Sequence, residues 1–176
     1  MKKFLLVAVL VMGFSMMAVA QDIPATEIFA GYSYFRCTTG TSSCDLNGWN
    51  LSAAFNVNKN FAPVIDIGGH YGKLTGRNYS AHSFMAGPKF MMPVGRFTPF
   101  VHFLAGIDHS NLGGMKTRDT QNNFALAVGG GVDISVNSFM SVRAFQAEYY
   151  GLRLRGELRH DMRVAAGAIF KLGKRY

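Results

Sequence analysis

Gly48-Trp49-Asn50-Leu51-Ser52-Ala53-Ala54-Phe55-Asn56-Val57 alternates with period two: Trp49, Leu51, Ala53, Phe55 and Val57 take one side, and Asn50, Ser52, Ala54 and Asn56 take the other. Successive side chains of an extended chain point to opposite faces, so this stretch is a strand with one apolar and one polar face. Asn58-Lys59-Asn60 then breaks the pattern with turn-forming residues before alternation resumes.

Working outward, the same signal recurs. Residues 26–36 set Tyr32 and Tyr34 against Gly31 and Ser33, and residues 61–72 set Ile65, Ile67 and Tyr71 against Asp66, Gly68 and His70. Residues 80–92 oppose Phe84, Ala86, Phe90 and Met92 to Ser83, Gly87 and Lys89; residues 97–109 oppose Val101, Phe103, Ala105 and Ile107 to His102, Gly106 and Asp108. Residues 123–134 set Phe124, Leu126, Val128, Val132 and Ile134 against Gly129, Gly131 and Asp133, and residues 162–172 set Val164, Ala166, Ala168, Phe170 and Leu172 against Arg163, Gly167 and Lys171. The seventh segment, 139–150, keeps no single parity. Arg143 and Glu148 cannot share a face without an extra residue between them, so a β-bulge is expected near 145–147, unless Glu148 lies at a rim. Eight such segments predict an all-β, eight-stranded antiparallel up-and-down barrel.

The N-terminus carries Lys2 and Lys3, an apolar run over 4–14, and Ala18-Val19-Ala20 before Gln21. That order reads as a secretory signal peptide over residues 1–20, leaving 21–176 as one barrel domain. The apolar run is interrupted by Gly13 and Ser15, too short for a retained spanning helix. No later stretch is long enough either, so membrane insertion of the mature chain would have to use strands. The formal charge of +8 falls to +6 without Lys2 and Lys3. Nucleic acid is a poor partner for an exported chain; phosphates of an outer leaflet, or simple solubility, account for the excess. Cys37 and Cys44 flank a Gly/Ser/Thr-rich stretch. In an exported protein this is expected to be a disulfide stapling an exposed loop, since a metal site would want more ligands.

The polar set, Asp66, His70, Lys89, His102, Asp108, Asp133, Arg143, Arg163 and Lys171, falls opposite the aliphatic and aromatic set. A soluble barrel buries the apolar set and a membrane barrel inverts this; alternation alone cannot separate them. Glycines 31, 68, 87, 106, 129, 131 and 167 all share the polar face. Small residues relieve crowding on a concave side, where they make room for charged neighbours, so the polar face is expected inside. Short links follow the second, fourth and sixth segments, and the other connections run to roughly 7–13 residues, as between the inner turns and outer loops of membrane barrels. Both termini would then be periplasmic.

These patterns resemble the small outer-membrane barrels of the OmpA transmembrane-domain and OmpX type, over residues 26 to 176. The resemblance is sharpest where Gly167, Phe170 and Leu172 fit that family's C-terminal assembly signal, although Ala165 stands at its polar position and Lys174-Arg175-Tyr176 continue the chain. It implies a bacterial outer-membrane location and contact with the insertion machinery during biogenesis. No cofactor is expected, and because the sequence ends with the eighth strand no cell-wall-binding domain of the OmpA type is expected after it.

Glu27, Asp66, Asp108 and Asp133 against Lys89, Arg143, Arg163 and Lys171, with His70 and His102 beside them, are the expected members of a lumen charge network, because buried charges without partners are too costly. Eight strands leave an interior about filled by side chains. Leu152-Arg153-Leu154-Arg155-Gly156-Glu157-Leu158-Arg159-His160 reads as a hairpin offering Arg153, Arg155 and Arg159 to lipopolysaccharide or another polyanion, or as a solvated extension paired with Glu157. His82-Ser83 and His109-Ser110 are the candidates for lipid-modifying catalysis, but strand neighbours point apart, and no catalytic or metal-ligating set is assigned. The expected role is structural and surface-interacting, with an external partner left open. The alternatives are a soluble periplasmic barrel carrying an apolar ligand, as lipocalin-like folds do, and a lipid-modifying enzyme.

Overall fold

Alternating residues leave every second side chain on one face, and a sheet made from such strands must close or leave unpaired edges. The computed structural model, which describes residues 23–39, 42–74, 77–112, 119–154 and 157–175, shows closure. The strands are β1 (Ile23–Thr39), β2 (Ser42–Phe55), β3 (Phe61–Leu74), β4 (Arg77–Met91), β5 (Phe97–Leu112), β6 (Asp119–Ser135), β7 (Met140–Leu154) and β8 (Glu157–Arg175). Each pairs antiparallel with its sequence neighbours, and β1 pairs with β8 to complete the barrel. The expected signal peptide, residues 1–20, lies outside the described residues.

Closure tilts the strands. Direct partners followed from Phe35, toward the far end of β1, lead through Arg163, Glu148, Gly129, His102 and Lys89 to Ala62, beside the turn that opens β3. One transverse row therefore climbs most of the barrel's height, as a sheared eight-stranded cylinder requires.

Sidedness follows the inverted pattern. Trp49, Phe103 and Val128 are 42%, 50% and 44% exposed, whereas Asp66 and Lys89 are 1% and 2% exposed. The outer wall is an uninterrupted apolar surface far larger than a water-soluble protein displays. This is the reverse of a soluble carrier, whose apolar residues line the interior, and it overturns that alternative.

Three expectations need correction. The connections read as long loops are mostly strand: β1 and β2 stay paired as far as Thr39↔Ser42, β3 and β4 as far as Leu74↔Arg77, and β7 and β8 as far as Leu154↔Glu157. Past the apolar band the outer face turns polar (Arg36, Asp45, Lys73) while the inner face mixes apolar and polar residues (Phe35, Cys37, Leu46, His70), so the apolar-out, polar-in contrast fades while the ladder continues. The bulge exists but sits slightly earlier than expected. Register shifts between Arg143 and Gln146, with Ala144 and Phe145 both outward, so Arg143 and Glu148 both point in. The glycines, finally, serve two purposes. A Cβ on Gly68 would meet Ser83 Oγ at 2.8 Å and approach the Arg163 guanidinium at 3.4 Å, so that glycine does make room for side chains. On Gly87 it would lie 1.9 Å from the Phe103 carbonyl oxygen, so that glycine is required by the close approach of β5's backbone.

At the end that holds the termini, tight turns join β2 to β3, β4 to β5 and β6 to β7. In the second, Val94 and Phe97 exchange backbone hydrogen bonds of 2.7 and 3.0 Å around Gly95, whose φ of 60° suits glycine. Gly87→Ala should cost about 1–3 kcal/mol by forcing β4 and β5 apart; a lowered urea midpoint for the vesicle-embedded protein checks this, and an unchanged midpoint refutes it.

Candidate functional site

The polar faces of all eight strands converge on the lumen, and the transverse row described above becomes its centre. Arg163 is fully buried and donates from Nε and Nη2 to the Glu148 carboxylate (Nη2 to Oε1 at 2.8 Å), and from Nη1 to Asp66 Oδ1 at 3.0 Å. Asn50 Nδ2 donates to the other Asp66 oxygen at 2.9 Å. His102 Nε2 lies 2.7 Å from Glu148 Oε1. Gly129 sits between His102 and Glu148 in the row, and a Cβ there would overlap the Glu148 stem.

A second cluster lies nearer the termini. Lys89 Nζ is 3.1 Å from Asp133 and 3.5 Å from Glu27, and Arg143 grips Asp133 with Nε to Oδ1 at 2.7 Å and Nη2 to Oδ2 at 3.0 Å. That two-pronged contact is the strongest form of an arginine–carboxylate bond. The Arg143 guanidinium is also sandwiched between Phe29 and Phe100, 4.4 Å from each ring centre. Between the clusters, Glu27, Ser52, Asp66, Lys89, His102 and Arg143 border a residual cavity of about 10 Å³, room for one water.

Six of the ten lumen candidates thus meet in ion pairs, Glu27, Asp66, Lys89, Asp133, Arg143 and Arg163, and a seventh, His102, lies against Glu148. The other three stand apart. Lys171 donates to Ser135 Oγ at 3.0 Å near the rim that holds the termini. His70 bonds Ser33 Oγ at 2.9 Å and leans on the Phe35 ring, while Asp108 accepts a long 3.5 Å bond from Tyr150. The residue missing from the candidates is Glu148, the hub of the upper cluster. The parity break that predicted a bulge was the signal for it.

Cys37 and Cys44 are disulfide-bonded, but not on an exposed loop: they are direct cross-strand partners, 5.1 Å apart at Cα and nearly fully buried. Because β1 and β2 remain paired beyond them, their parity turns them inward, where they join Phe35, Leu46 and Tyr150 in an apolar layer across the far half of the lumen.

The remaining candidates are located as follows. Ser83 is buried while its neighbour His82 is exposed, so that His/Ser pair is split across the wall; Ser110 is likewise buried beside His109. His82 bonds Tyr71 and His109 bonds Asn122 instead. Among the described residues, no group of three or more His, Cys, Asp or Glu could hold a metal ion. Arg155 lies outside the described residues, and only the backbone of Arg153 and Arg159 is described. Gly167 pairs with Gly31 and Arg143, and Phe170 and Leu172 face outward.

Residues 6–170 match the family model described as outer membrane protein beta-barrel domain. Among curated protein sequences none matches. Among solved structures the chain is similar to Neisserial surface protein A, at 13% identity over 84% of this chain and 97% of that one, with a TM-score of 0.74. It is also similar to Ail, the attachment invasion locus protein of Yersinia pestis, in complex with the heparin analogue sucrose octasulfate, at 16% identity over 84% and 99%, TM-score 0.60. The N-terminal barrel domain of Pseudomonas aeruginosa OprF is similar at 14% identity over 85% of this chain and 98% of that one, TM-score 0.54.

Removing one partner of a buried ion pair strands the other, which costs about 3–5 kcal/mol. Glu148→Ala should therefore lower stability by that amount in denaturant titration of the vesicle-embedded barrel, while Glu148→Gln, which can still accept from Arg163, should lose less. Equal losses would show that charge pairing is not what the site supplies.

Proposed function

The chain belongs to the outer membrane protein beta-barrel domain family, and from that premise we propose that it is a closed structural barrel whose external end contacts lipopolysaccharide or another polyanion. It is a β-barrel of the bacterial outer membrane. The observation that carries the closed-lumen reading is the two ion-paired clusters, Arg163 with Glu148 and Asp66, and Asp133 with Arg143 and Lys89: within each the charges hold one another across the interior, and the space left between the clusters accommodates about one water. Charges bound this way form a plug, because separating any pair would leave both without solvent.

The surface role rests on the β7–β8 hairpin. Its ladder continues to Leu154↔Glu157, and its sequence places Arg153, Arg155 and Arg159 around the tip. Arginines suit phosphate or sulfate groups, which they bind in a two-pronged fashion. That a barrel of this fold, Ail, is solved with a heparin analogue supports a polyanion as ligand class. In this reading residues 1–20 direct export, the termini face the periplasm, and Gly167, Phe170 and Leu172 of β8 present the assembly signal to the insertion machinery. The role is not catalytic, in keeping with the separation of each histidine from its neighbouring serine.

Two measurements test the proposal. Liposomes carrying the protein should retain a small-ion dye gradient as well as empty ones; rapid efflux would overturn the closed lumen. At pH 7.5, protein in zwitterionic micelles should bind short-chain phosphatidylglycerol, and Arg153→Gln/Arg155→Gln/Arg159→Gln should weaken binding by about five-fold per charge removed. Unchanged affinity would discard the hairpin as the contact.

A further inference from the structure

Five histidines divide by side of the wall. His70 and His102 are buried in the lumen, whereas His82 and His160 are exposed and His109 is half-buried on the outside. The outward three share one position in their strands. In β4 the last large lipid-facing residue before the far end is Phe84, and His82 is the next outward residue. In β5 the order is Ile107 then His109, and in β8 it is Met162 then His160. Each therefore stands one step past the apolar band, at the level where hydrocarbon gives way to headgroups. His82 and His109 are also direct cross-strand partners, which puts two imidazoles side by side.

Their hydrogen bonds leave each ring free to take a charge. His109 Nδ1 is 2.6 Å from Asn122 Oδ1; an amide oxygen only accepts, so Nδ1 carries the proton and Nε2 is left for a second one. His82 Nε2 is 3.0 Å from the Tyr71 hydroxyl, and His160 Nδ1 bonds the Tyr149 hydroxyl. A phenol can donate to a neutral ring or accept from a charged one, so these bonds survive protonation. None of the three described partners is a carboxylate, in contrast to His102 against Glu148. Positive charge gained at the collar is thus not cancelled by its bonded neighbours. The charged side chains described nearby are Lys73 on β3, Arg77 on β4, and Arg36 on β1 with Asp45 on β2 3.9 Å from it; on the lumen side Asp108 stands next to His109 and Asp161 next to His160, both buried.

We propose that His82, His109 and His160 form a titratable collar that binds the phosphate groups of outer-leaflet lipid, and that tightens the barrel's hold on those lipids in acid. The collar rests on the orientation given above, with the far end external, and adds a pH-dependent contact to the pH-independent arginines of the hairpin. Imidazole is the side chain whose charge changes between pH 5 and 8, so the gain is sought by comparing pH 5.5 with pH 7.5. The anion binds the protonated form better, so by linkage protonation strengthens anion binding.

The test uses the folded full-length mature protein in zwitterionic micelles, titrated with short-chain phosphatidylglycerol, whose single charge is constant from pH 7.5 to 5.5. Wild type should bind more tightly at pH 5.5 than at pH 7.5, by about five-fold for each charge gained. His82→Gln/His109→Gln/His160→Gln should lose that gain. The single variants should each lose part of it, which covers the case in which the triple variant fails to fold. No gain in wild type overturns the proposal, as does a gain that persists in the triple variant. Short-chain phosphatidylcholine should show no gain; an equal gain with it, or with inorganic phosphate, overturns the assignment to anionic lipid. Failure of the hairpin reading is separable, because it appears as unchanged pH 7.5 affinity in the arginine variant.

Discussion

Hydrocarbon offers no hydrogen-bond partner, and that single constraint organises this molecule. Every backbone N–H and C=O within the apolar band must be satisfied by the chain itself, which strands achieve only when the first pairs with the last. The pairing of β1 with β8 from Ile23↔Arg175 to Arg36↔Met162 is therefore the closure on which everything else depends. Once the cylinder is closed its interior is narrow and its exterior is solvent for lipid. The polar residues have one place to go, and once there they must neutralise one another. Four carboxylates (Glu27, Asp66, Asp133 and Glu148) meet three permanent cations (Lys89, Arg143 and Arg163) and His102.

Much of this was legible in the sequence, for a physical reason. A side-chain period of two survives any tilt or register, so Trp49 to Val57 announces its two faces before its partners are known. Sidedness needed a second signal, and glycine supplied it, although partly for a different cause. Gly68 yields space to side chains as expected, whereas Gly87 yields it to a neighbouring carbonyl, a requirement of strand curvature that no single strand reveals. The strand ends were not legible, because beyond the apolar band the outer face is no longer apolar, and the apolar-out, polar-in contrast is lost while the backbone remains paired. That also misplaced the cysteines: with the ladder assumed to end before them they read as loop residues, and with it intact they are inward-facing partners.

The lumen site was legible in its members more than in its connections. Burial of opposite charges implied pairing, but which carboxylate meets which cation depends on register around the whole cylinder, and Arg163 and Asp66 are 97 residues apart. Register also decides the aromatic contribution. Phe29 and Phe100 lie on the polar parity of their strands and stood out from neither composition nor alternation, yet they sandwich Arg143. A weakly hydrated guanidinium tolerates such faces where an ammonium would hold to its water more strongly.

The displaced residue at Ala144–Phe145 carries a consequence for how this chain can change length. In a wall one residue thick, inserting or deleting a single amino acid within a strand exchanges inside for outside along everything up to the next turn. Such changes are confined to even numbers, to the hairpin tips, or to an irregularity that absorbs the exchange. β7 already holds one. A relative lacking that extra residue must carry its acidic hub at an adjacent position, so an alignment that forces β7 to run without a gap would match lipid-facing residues to lumen residues.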